Sequence, residues 1–76
     1  MTDKEWKDYA KGLIKGELAK RNINFVMLAD KLSQMGVHES PQNLSNKIAR
    51  GSFNAVFMLQ VFAAIECKSV DLRDFT

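Results

Sequence analysis

The chain is poor in the residues that cross-link, ligate or break structure. Cys67 is its only cysteine, so no disulfide can close within it. With His38 as the only histidine, it also falls short of a structural zinc set, and no cofactor is expected. A single thiol fits a reducing compartment. Pro41 is the one proline and there are four glycines, so no linker, repeat or low-complexity segment is visible. Long apolar runs are missing too. The longest, AVFMLQVFAAI, is broken by Gln60 and is much shorter than the ~20 residues that a membrane-spanning helix needs. The N-terminal MTDKEWKDYAKG is charged and holds no apolar stretch of signal-peptide length. The expectation is a soluble, cytoplasmic chain without a membrane partner.

Charge of one sign is scarce as well. Eleven basic and nine acidic residues give +2, well below the excess of a strongly basic nucleic-acid binder. The sum is +2 over residues 1–21, +1 over 22–54 and −1 over 55–76. This distribution permits a phosphate-facing surface in the first two segments and disfavours one in the last. No nucleophile–base pairing or phosphate-binding glycine loop is present, and a chain this small rarely encloses a catalytic pocket. An enzyme acting on a small-molecule substrate is therefore not expected.

The 76 residues make one domain, 46% hydrophobic, and bury only about 60% of their unfolded surface, so the core must be well packed. Trp6, Tyr9, Ala10, Leu13, Ile14 and Leu18 recur at helical spacing, predicting a helix over about 3–21. Gly12 and Gly16 lie one turn apart on it, which fits close packing by another helix or simple tolerance, with a dimer contact as the alternative. Asn24 can cap a second helix carrying Phe25, Leu28, Ala29, Leu32 and Met35 on one face, with Gly36 as its left-handed terminus. Ser40 caps and Pro41 opens a third helix, anchored by Leu44 and Ile48 and ended by Gly51. Asn54 caps a fourth, with Phe53 and Met58 spaced as a hydrophobic staple. Val56, Leu59, Val61, Phe62, Ala63 and Ile65 make that helix apolar nearly all round, so Phe57 or Val61 would face water in a monomer. Ser69 can cap a short closing turn or helix in SVDLRDF. No stretch alternates like a strand. The expected class is all-α, a compact bundle of four to five short helices.

The segment SPQNLSNKIARGSFN poses the functional question, because its exposed positions carry amides and hydroxyls, which are weak helix formers. In a major groove, Gln and Asn can bond to adenine N6 and N7, and Lys to guanine O6 and N7. Gln42, Asn43, Asn46 and Lys47 are therefore candidate base contacts. Arg50, Ser52, Asn54 and the cap Asn24 are candidate phosphate contacts. Capping and turn formation alone would also account for amides at a helix start. His38 and the alternating charges of Asp3, Glu5 and Asp8 read as solvated surface, and Trp6 and Tyr9 as core or an oligomer contact.

INFVMLADKL, NKIARGSFN and FMLQVFAAIECKSVDL together resemble the Cro/C1-type (lambda-repressor-like) helix-turn-helix domains, over about residues 13–72. The chain also resembles a small group of bacterial domains of this general type. The resemblance implies double-stranded DNA binding by a small transcriptional regulator, with helix 3 (about 41–50) in the major groove, as a homodimer. The rival expectation is a protein–protein interaction module on the same helices. Two departures are visible: the connection from Leu32 to Leu44 is several residues longer than is usual there, and Ala49 stands where that family often has a Glu paired with an Arg of helix 1. Glu17 lies on the apolar side of helix 1 instead. The resemblance sets helix 1 against the end of helix 3, which implies a charge-reversed ion pair from Glu17 to Arg50, or to Lys47 as second choice. The alternative is that Glu17 tilts outward to water or Lys20.

Overall fold

The computed structural model describes residues 1–73, which contain four helices: α1 (Asp3–Lys20), α2 (Phe25–Gln34), α3 (Pro41–Arg50) and α4 (Ala55–Ala64). There is no strand among the described residues, and the class is all-α. All four helices start in the same way. Thr2, Asn24, Ser40 and Asn54 hold extended backbone, and each side-chain oxygen accepts from the N–H three residues on, satisfying a donor that the helix itself cannot. Three of these caps are legible as single residues. The fourth, Thr2, is completed by Glu5, whose carboxylate accepts from Thr2 N at 2.9 Å to make a capping box. The spacing Thr-x-x-Glu carries that signal in the sequence.

Three helices also end alike. After α1, α2 and α4 the chain turns left-handed at Asn22 (φ 54°), Gly36 (φ 83°) and Glu66 (φ 59°). The next residue's N–H then reaches back over the last turn: Ile23 to Leu18 O, Val37 to Leu32 O and Cys67 to Phe62 O, at 3.0, 2.9 and 2.8 Å. This motif brings an apolar residue beyond each helix back onto the core. Ile23, Val37 and Cys67 all pack there. The turns therefore fix chain direction and add apolar cover together.

The helices converge through apolar pairs one turn apart: Ile14 and Leu18, Leu28 and Leu32, Leu44 and Ile48, Phe57 and Val61, with Phe62 and Ile65 added. α1 and α2 each pack on α3 and α4. Six of these side chains are fully buried, Ile14, Leu28, Leu32, Leu44, Ile48 and Val61, and truncating one to Ala is of the class that costs about 2–5 kcal/mol.

Several expectations need correction. Phe57 and Val61 are buried at 6% and 0% exposure; Val56 and Leu59, at 62% and 63%, are the α4 residues left in water. The α4 sequence is apolar all round, so its pattern could not say which side the other helices take. Trp6 and Met35 are about half exposed. An added Cβ at Gly12 or Gly16 would meet nothing within 4 Å, so of the readings offered for them close packing within the chain is ruled out, and simple tolerance or a dimer contact is left. Residues 69–73 form no helix, and the rest of the closing turn expected after Ser69 lies outside the described residues.

Gly51 is the one glycine that the tertiary structure requires. Its φ is +68°, and a Cβ there would come within 2.8 Å of the Lys7 carbonyl carbon and nearer still to its oxygen. The end of α3 thus lies directly on the α1 backbone. Gly51→Ala should cost more than the ~1–3 kcal/mol of left-handed strain alone. Gly36→Ala, with φ +83° and open space around it, should cost that strain only. Thermal unfolding of the two variants checks this: the Tm of Gly51→Ala should fall further by several degrees.

Candidate nucleic-acid interface

Leu44 and Ile48 point α3 inward, and this fixes what points outward. At about 100° per residue, Asn46 lies opposite the mean direction of those two anchors. Gln42, Asn43, Ala49 and Arg50 flank it, and all five are exposed. Gln42 Nε2 donates to Asn46 Oδ1 at 3.2 Å, aligning two amides along the face. α3 carries no acidic residue. Arg50 makes no ion pair among the described residues. A helix face of this kind offers amide donors and acceptors, with one uncommitted guanidinium at its end.

Lys47 is placed differently from its expected neighbours. It lies on the flank of α3, 2.7 Å from Glu39 Oε2 and with its ammonium 5.1 Å from the Phe57 ring centroid. It remains 43% exposed, whereas the Glu39 side chain is 17% exposed. A base-edge role for Lys47 therefore requires it to leave a carboxylate. Glu39 was missed because it belongs to the connection 35–40, and only the fold brings that connection beside the middle of α3.

Beyond Gly51, a cleft of about 280 Å³ is lined by Lys47, Arg50, Ser52, Phe53, Asn54 and Phe57. It gathers three of the four expected phosphate contacts, Arg50, Ser52 and Asn54, at the start of α4. The Phe53 and Phe57 rings, 5.6 Å apart and tilted by 54°, form its apolar side. Asn54 is partly committed: its Oδ1 accepts from Phe57 N at 2.8 Å, a cap that leaves the Nδ2 donors unused. The fourth, Asn24, caps α2 through Met27 N in the same way and lies instead beside Lys15, Ile23 and Phe25.

The expected pair from Glu17 to Arg50 does not form, and neither does the second choice, Lys47. Glu17 is 14% exposed and is satisfied within its own helix end, by Lys20 Nζ at 2.9 Å and by Arg21 at 2.9 Å. Arg21 also donates to the Glu17 carbonyl at 3.0 Å, and the Cys67 thiol donates to Oε1 at 3.6 Å. The reason is proximity along the chain: partners three and four residues away cost little order, and they fill the carboxylate before α3 is reached. Of the alternatives, Lys20 is a partner, though the carboxylate is not turned outward. Tyr9, partly buried, accepts from Arg73 N at 2.9 Å and ties the C-terminal segment across α1.

With this architecture in view, the chain is an all-α domain whose third helix presents an acid-free amide face. It belongs to the DUF6471 family, described as a domain of unknown function, whose family model matches residues 6–70. No curated protein matches the chain, and neither does any solved structure. No helix among the described residues is long and apolar enough to cross a membrane, and no group of His, Cys, Asp or Glu among them could hold a metal.

The hydrogen bonds from Lys20 and then Arg21 hold the Glu17 carboxyl well down, to about 2. A carboxyl lowered in this way stabilises the fold above its unfolded-state value of about 4.5 and loses that contribution as pH falls toward 2. Glu17→Gln should therefore unfold at lower temperature than the parent at neutral pH. The Tm difference should close between about pH 4.5 and 2, as followed by circular dichroism. Arg50→Gln should leave that difference unchanged.

Proposed function

We propose that the domain binds double-stranded DNA as a small helix-turn-helix regulator, with α2 and α3 as the motif and α3 in the major groove. The observation that carries this reading is the outward face of α3, where Gln42, Asn43, Asn46 and Arg50 are exposed together and no acid stands among them. Amides paired along a helix offer donors and acceptors to adenine edges. Arg50, Ser52 and the Asn54 amide, gathered at the cleft, suit the flanking phosphate, which positions the helix without reading sequence. The +2 net charge fits a modest number of phosphate contacts. A cytoplasmic setting follows if the chain acts on DNA.

Selection from a random duplex pool, followed by titration at several salt concentrations, tests the reading. Asn46→Ala should cost about 1–3 kcal/mol at one base position and little elsewhere. Arg50→Ala should weaken every duplex similarly and flatten the salt dependence by about one phosphate. Parent and variants binding all duplexes equally, or none, would overturn it.

A second reading, protein association, is favoured by α4. Val56, Leu59 and Ala63 recur on one exposed side of a helix that carries no charge. On the DNA-binding reading, this side joins two copies, since an uncharged face meets its own copy without repulsion. Half-sites about 34 Å apart would then be read by the pair. Sedimentation should show a dimer at micromolar concentration, and Leu59→Lys should shift it to monomer while the helical signal is kept.

A further inference from the structure

The connection 35–40 places an acid where a nucleic-acid surface would be expected to have none. Glu39 immediately precedes the Ser40 cap, so the chain path of the N-cap fixes its position. Its Oε2 is closed off from solvent and receives no aligned hydrogen bond. Among the described residues, the ammonium of Lys47 at 2.7 Å compensates that oxygen. A buried carboxylate oxygen needs such compensation, because leaving its charge unpaired is costly. Lys47 is held less completely: it is 43% exposed, and its ammonium also faces the Phe57 ring at 5.1 Å. Lys47 also lines the cleft that Arg50, Ser52 and Asn54 share, so an anion entering there arrives within reach of the same ammonium.

We propose that Glu39 is an internal substitute for a DNA phosphate on Lys47, so that binding exchanges one anion for another at a single lysine. The inference rests on the duplex-binding reading above and adds a consequence that the reading alone does not have. In the free protein Glu39 cancels one of the few positive charges near α3. Any duplex that approaches must then either displace the carboxylate or tolerate it beside its own phosphates. Duplexes that do not place a phosphate at the cleft meet the repulsion without the compensation. Glu39 thereby suppresses indiscriminate binding and makes occupancy depend on register.

The test uses the full chain and a fluorescently labelled duplex of random sequence, titrated by anisotropy at several salt concentrations. Glu39→Gln should tighten binding by about three- to fivefold, the range of a partly exposed ion pair, and should steepen the salt dependence by about one phosphate. Glu39→Gln with Lys47→Gln should return to the parent affinity. Glu66→Gln makes the same change in net charge at the far end of α4 and should stay within about 1.5-fold of the parent, since exposed charges beyond a Debye length are screened. Glu39→Asp keeps the charge but shortens the reach to Lys47, and should tighten binding part of the way. It serves in place of Glu39→Gln if loss of the charge unfolds the chain by circular dichroism. Parent-like affinity in both Glu39 variants, or an equal gain from Glu66→Gln, overturns the inference while leaving duplex binding intact. If neither parent nor Glu39 variant binds any duplex at the lowest salt, the duplex-binding reading fails and the inference fails with it.

Discussion

Leu44 and Ile48 are the only buried side chains of α3, and the presentation of everything else on that helix depends on them. Two anchors one turn apart fix both the rotation of a ten-residue helix and its depth, because the core they enter is fully packed around them. Gly51 adds the third constraint by letting the helix end rest on the Lys7 backbone. With three points held, the amides at Gln42, Asn43 and Asn46 have no freedom to turn inward. Their poor helix propensity is tolerated because tertiary contacts and the Ser40 cap hold the helix.

The ion pairs of the chain follow a rule of short reach. Lys4 and Asp8, Lys7 and Asp3, and Glu17 with Lys20 and Arg21 all join residues three or four apart on α1. Glu39 and Lys47 break that rule, joining a connection to a helix flank across eight positions. Local partners absorb most of the charges of α1, and Glu39 absorbs that of Lys47. Arg50 is left as the uncommitted cation at the end of the amide face. Six of the eleven basic residues, Lys4, Lys7, Lys11, Lys20, Arg21 and Lys47, are thus neutralised in place.

α4 serves two purposes with one composition. Phe57, Val61, Phe62 and Ile65 close the core, while Val56 and Leu59 remain in water. The same apolar character that lets α1 and α2 pack against α4 leaves it with an uncharged outer side. Isolated exposed apolar side chains are ordinary; here two large ones and an alanine share one side of α4, the side proposed above to join two copies.

The element boundaries were legible because they are set by local chemistry. Asn24, Ser40 with Pro41, and Asn54 supply their acceptors within three residues, and Gly36 and Gly51 supply left-handed backbone where each helix must stop. The composition of the α3 face was equally visible, since Leu44 and Ile48 mark its inner side by spacing alone. The partners of Glu17 and Lys47 were not legible. A carboxylate on the apolar side of a helix announces that it needs a cation, yet it says nothing of which cation the turn after α1 will bring back to it. Nor could α4 reveal its buried side, because a helix that is apolar all round carries no moment to orient it. By itself, then, the sequence determined where the helices begin and end and which side of α3 is polar, because those depend on contacts within a few residues. The tertiary structure alone decided which charges meet and which apolar side of α4 stays in water, because those depend on how four helices share one core.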